Sequence, residues 1–214
     1  MKLVSVQVGR PRLVEWNGDV VSTGIFKEPV TEPVMLRELN LDGDRQADLS
    51  VHGGVTKAVY AYPVEHYDFW RKELPEMDLP YGMFGENFTV EGFQEENLAI
   101  GARFRIGNAE VMVTEPRMPC YKLGIKFGRS DIIKRFLQSR RTGFYFSVLG
   151  EGLVTADDTF EKLSEGSDVT IADITRLYAF DKNNLALLNR AVKVDELPDS
   201  WRGYFQAHID KLQK

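Results

Sequence analysis

The sequence predicts a mainly β protein, closed as a barrel or packed as a sandwich, with inserted helices and a small helical unit at its end. Three observations carry this. Many short apolar runs are separated by turn chemistry. Tight turns fall at Asn17-Gly18, Asp42-Gly43 and Gly107-Asn108. After about residue 171 the apolar spacing changes from that of strands to that of helices.

KLVSVQV (2–8) reads as the first strand. RLVEW and VVSTG flank Asn17-Gly18, a hairpin signal because both turn residues tolerate positive φ. PVMLREL (33–39), KAVYAYP (57–63), FTVEG (88–92), RFRIG and EVMVTEP (110–116) continue the strands, with FYFSVLGEG and DVTIAD (168–173) closing the set. A helix is predicted for EHYDFWRKEL, opened by Pro63, and another for SDIIKRFLQSRR, with Ser130 as its N-cap. ADITRLYAFD, NNLALLNRAV and DSWRGYFQAHIDKL read as three short amphipathic helices. The predicted division is a β domain over 1–170 and a three-helix appendage over 171–214.

The chain has 214 residues and a formal net charge of −5, a balance that disfavours a nonspecific nucleic-acid coat. No apolar run approaches the roughly 20 residues of a membrane span, and the N-terminus lacks a signal-peptide core, so a cytoplasmic location is expected. The single Cys120 excludes an intrachain disulfide framework and an all-cysteine iron–sulfur or zinc site. Neither a GxSxG elbow nor a GxGxxG turn after a strand is present.

Three stretches have residues suited to chemistry. In GDRQADLSVHGGVTKAVYA (43–61), Gly53 and Gly54 leave backbone N–H groups open to an anion, and Arg45, His52 and Lys57 add donors. The alternative is a glycine turn leading into a strand, and residue types alone favour it. MFGENFTVEG (83–92) sets Asn87 at a strand mouth, to meet a ligand or to form an Asx turn. TEPRMPCYKLGIKFG (114–128) puts Cys120 between Arg117 and Lys122, cations that favour a thiolate. A lone cysteine is otherwise a small buried hydrophobe.

Taken together and in order, GDRQADLSVHGGVTKAVYAY, GMFGENFTVEG, EPRMPCYKL and RTGFYFSVLGEG resemble the MOSC-domain family, and the helical end resembles the appendage of its YiiM-type branch. The resemblance implies a mostly antiparallel closed β-barrel that binds the molybdenum cofactor (molybdopterin). It implies Cys120 as the molybdenum ligand and catalytic residue, with Arg45, His52, Gly53, Gly54, Lys57, Asn87, Arg117 and Lys122 holding pterin and phosphate. The implied activity is reduction of N-hydroxylated small molecules, such as 6-hydroxylaminopurine-type bases, with electrons from a separate reductase. A cofactor carrier, or a sulfur carrier using a Cys120 persulfide, are the alternatives. No membrane or nucleic-acid polymer is expected as partner. A homodimer through the tail helices is compatible with the pattern.

Overall fold

A computed structural model describes residues 1–46 and 53–214. Eight strands form one mixed sheet in the order β12-β8-β9-β10-β6-β7-β1-β4. These are β1 (Lys2–Val8), β4 (Glu28–Val30), β6 (Val59–Pro63), β7 (Phe88–Glu91), β8 (Arg103–Ile106), β9 (Ala109–Pro116), β10 (Phe144–Gly150) and β12 (Phe160–Ser164). All neighbours run antiparallel except β6 and β7, which are parallel. Among the described residues two further small ladders form: the hairpin β2 (Arg12–Trp16) with β3 (Asp19–Thr23), and β5 (Val34–Leu36) with β11 (Gly152–Val154). The hairpin turn has Asn17 at φ 52° and Gly18 at φ 88°, the left-handed pair that its sequence favours.

Closure into a barrel is not shown. The strand order is linear, with β12 and β4 at its ends. Val6–Val8 of β1 pair with β4, so only the start of β1 is left to meet the chain before β12. There a single bridge joins Lys2 to Thr159, flanked by backbone hydrogen bonds between Leu3 and Asp157–Asp158.

α1 (Val64–Glu73) follows β6 directly, with Pro63 at its N-cap position and Tyr67 and Trp70 buried. α2 (Tyr121–Phe127) and α3 (Ile132–Ser139) lie between β9 and β10. Asp131, not Ser130, is the N-cap of α3, and its carboxylate is held by Arg129 at 2.7 and 2.9 Å. The chain ends in α4 (Ile171–Ala179), α5 (Leu185–Ala191) and α6 (Asp199–Leu212). DVTIAD is therefore not a strand. Its alternation yields to a capping box, in which Thr170 accepts the Asp173 N–H and Asp173 accepts the Thr170 N–H. The last strand is β12, whose mostly exposed residues hide the apolar alternation.

Two apolar clusters fill the interior. One joins the strand residues Phe104, Phe144, Phe146 and Phe160, and Phe93 from the loop after β7, to Ile174, Leu188, Trp201 and Phe205 of the terminal helices. The helices thus share a core with the sheet. The other gathers Tyr62, Tyr67, Trp70, Phe84 and Phe136 around α1 and α3. Among the described residues no helix is long and apolar enough to cross a membrane.

Candidate functional site

A cavity opens where the second cluster meets the loops around Asp44, Gly85 and Cys120. It brings together Arg45, Lys57, Asn87, Arg117, Cys120 and Lys122, drawn from three stretches far apart in sequence. Gly53 and Gly54 are half-buried and stand outside its lining. His52 lies outside the described residues.

Gly54 contributes through backbone shape. At φ 97° and ψ 171° it leads into the 3-10 turn Val55–Lys57, and its carbonyl accepts the Lys57 N–H at 3.0 Å. This is a conformation that side chains oppose. The glycine corner thus aims Lys57 into the cavity, which is a different use of it from an anion nest.

The GEN segment is anchored from below. Glu86 is fully buried and accepts the N–H groups of Gly82 at 2.7 Å and Phe84 at 3.1 Å, together with the Tyr67 hydroxyl. Burial pushes its carboxyl up, against these donors. Gly85 holds φ 80°, and a Cβ there would stand 2.7 Å from Ile25, so the loop is built on glycine's small size.

Asn87 is engaged on every side. Its amide nitrogen donates to the Gln7 carbonyl at 3.3 Å and to Asp44 Oδ2 at 3.0 Å, while its oxygen accepts the Tyr60 N–H at 3.2 Å. Asp44 in turn accepts the Gly9 N–H at 2.8 Å and binds the Lys27 ammonium. Asn87 therefore works on the cavity by fixing Asp44, and Asp44 fixes Lys27. Burial pushes the Lys27 ammonium down, with Asp44 opposing.

Arg117 is the deepest cation. It is 6% exposed, its guanidinium lies 5.0 Å from the Tyr60 ring and 5.3 Å from the Phe136 ring, and among the described residues its Nη1 has no hydrogen-bond partner. Burial would push its proton affinity down, but Tyr60, Tyr145 and Cys120 reverse this and hold it above the ordinary value. A buried guanidinium nitrogen left unpaired is costly. In a cavity that contains other cations, it points to an anion as the missing partner.

Cys120 is half-buried at the N-cap position of α2, and Lys122 is buried two residues on. The thiol therefore opens onto the same space as Arg117 and is not enclosed in the apolar core. Among the described residues no group of three or more His, Cys, Asp or Glu side chains is placed to hold a metal ion. A metal held by Cys120 would thus bring most of its ligands with it, as a dithiolene-bound metal does, and a soft thiolate suits such a centre.

Sequence reasoning missed Lys27, Tyr60 and Tyr145. Lys27 follows β3 without a motif of its own, and both tyrosines read as strand core. Burial pushes the Tyr145 hydroxyl up to about 12.

Comparison with known proteins bears on the family and the fold. The MOSC domain family matches residues 48–161, and the YiiM-like, 3-alpha helix domain matches residues 169–212. The chain is 42% identical to the uncharacterized protein YflK of Bacillus subtilis, covering 98% of this chain and 95% of that one. A protein of Gibberella moniliformis named a reductase is 35% identical over 75% of this chain, which spans 29% of that longer protein. The crystal structure of YiiM from Geobacillus stearothermophilus superposes with a TM-score of 0.82 at 31% identity, covering 97% of this chain and 98% of the other.

Proposed function

The chain belongs to the MOSC-domain family and carries the YiiM-like three-helix unit, and on that premise we propose that its cavity holds the molybdenum cofactor and reduces N-hydroxylated small molecules to amines. The observation that carries this reading is the unpaired, buried Nη1 of Arg117 in the cavity onto which Cys120 opens. An anion that also bears a thiophilic metal satisfies both groups at once. The fungal relative named a reductase supports the reaction class.

When bound, the cofactor supplies two-electron oxygen-atom chemistry at its metal. The chain supplies position and field. Cys120 would be the protein ligand to the metal, its thiolate favoured by Arg117 and Lys122. Arg117 and Lys57, with Arg45 at the exposed rim, would hold the anionic end of the cofactor. Lys27, fixed by Asp44, stays in place as part of the cavity wall.

Reduction of R–NHOH to R–NH2 and water consumes two electrons and two protons. Tyr145, with its hydroxyl pushed up to about 12, keeps its proton at neutral pH and can donate a hydrogen bond to a substrate oxygen. The electrons would come from a separate reductase, since one cysteine leaves no iron–sulfur relay in this chain.

The test uses protein purified from a cofactor-producing host and given a strong chemical reductant. Conversion of 6-hydroxylaminopurine to adenine is the expected result, lost in Arg117→Met. Loaded protein that never turns over under any electron supply would replace the reductase by a cofactor carrier.

A further inference from the structure

Glu115, on β9, is 3% exposed and has both oxygens engaged. Oε1 accepts the Thr56 hydroxyl at 3.1 Å, and Oε2 accepts the Trp201 indole N–H at 2.8 Å. Lys57 Nζ stands 3.7 Å from the same Oε2. The neighbouring Thr114 hydroxyl lies 2.6 Å from the Thr56 carbonyl. The turn that carries Lys57 is therefore seated on β9 through a carboxylate and a hydroxyl, and that carboxylate is held by an indole from α6.

Trp201 is otherwise an apolar packing residue. It meets the Tyr178 ring edge-on at 5.5 Å and tilts against Phe205 at 5.5 Å. Packing alone calls for an aromatic ring of this kind, whereas the bond to Glu115 requires the indole nitrogen.

We propose that Trp201 is a positioning residue for the cavity: through the shared Glu115 carboxylate, the C-terminal helices set where Lys57 stands. Burial pushes the Glu115 carboxyl up, while Lys57 and the Trp201 and Thr56 hydrogen bonds pull it back. The titratable groups that face Glu115 are Lys57 from the turn and Tyr145 from β10. An anion that draws on Lys57 changes the field at Glu115, and the change reaches α6 through one hydrogen bond.

The experiment uses the full chain without cofactor, labelled with 15N. Its three tryptophans give separate indole N–H signals, and Trp70, bonded to the Tyr62 hydroxyl at 2.7 Å, is the internal reference. Lys57→Gln should shift the Trp201 signal and leave that of Trp70 in place. Inorganic phosphate should shift the Trp201 signal in the wild type and not in Lys57→Gln. Trp201→Phe should weaken phosphate binding roughly tenfold, the loss of one hydrogen bond to a charged group. Phe205→Leu loosens the same helix without touching Glu115 and should hold phosphate within about twofold of the wild type.

A Trp201 signal unmoved by Lys57→Gln overturns the proposal, and so does Trp201→Phe protein that folds and binds phosphate as the wild type does. Should Trp201→Phe fail to fold, the Lys57→Gln spectrum decides. The inference rests on reading the cavity as an anion site, and the two fail separately. Absence of phosphate binding in the wild type counts against that reading, whereas phosphate bound with a still Trp201 signal removes only the coupling.

Discussion

Of the three lysines that line the cavity, Lys27 and Lys57 each stand beside a buried carboxylate, and they are held in different ways. The Lys27–Asp44 pair is sealed, with side-chain exposures of 7% and 1%, and Asp44 also takes the Gly9 N–H and the Asn87 amide. In the Lys57–Glu115 pair the lysine is 26% exposed and stands 3.7 Å from the carboxylate. The first is a clamp that joins Gly9, Asn87 and the chain before β4. The second leaves its ammonium near the carboxylate and partly exposed. One pairing of residue types thus builds the cavity at one point and, in the proposed function, works in it at the other.

Removing Asp44 should break this contrast most severely. Asp44→Ala strands a buried ammonium, a backbone N–H and an amide, and should cost about 3–5 kcal/mol in denaturant unfolding. Glu115→Gln should cost less, about 1–3 kcal/mol, because Thr56 and Trp201 keep an amide partner.

The pH dependence of the same variant sharpens the comparison. Glu115 keeps its proton to higher pH when folded than at its ordinary value of 4.5. The folded state therefore binds more protons in the window just above 4.5, and stability falls as pH rises through it. The advantage of the wild type over Glu115→Gln should shrink across that window and then level off, as read from unfolding midpoints at a series of pH values. Lys57→Gln should cost under about 1 kcal/mol. A cost as large as that of Asp44→Ala would erase the distinction between the two pairs. Cys120→Ser, at a half-buried position, should change stability by no more than about 0.5 kcal/mol.

What the sequence revealed follows the range of the interactions. The Asn17-Gly18 hairpin and the terminal helices are local, and both stand where their turn residues and periodicity put them. DVTIAD failed because alternating Val169 and Ile171 outweighed the Thr170–Asp173 capping signal. α2 went unread because Gly124 interrupts its pattern, and the structure packs that glycine 3.3 Å from the Arg129 carbonyl and 3.7 Å from the Trp16 ring, measured from an ideal Cβ.

In the site, residue type made Arg45, Lys57, Arg117, Cys120 and Lys122 candidates and only the family resemblance assigned them to one site; the cavity brings all five together. Asn87 was legible as a position, though its bonds show it holding Asp44. Lys27 and the Trp201–Glu115 link were not legible. The latter pairs residues 86 apart in the chain, and no local pattern encodes a hydrogen bond of that span.

The thiol of Cys120 and the Nη1 nitrogen of Arg117, which has no partner among the described residues, are read as two contacts to one metal-bearing anion. Elemental analysis of protein purified from a cofactor-producing host tests this most directly. Molybdenum should accompany the wild-type chain in fixed proportion and be lost from folded Cys120→Ser protein. Equal molybdenum in both would contradict the assignment.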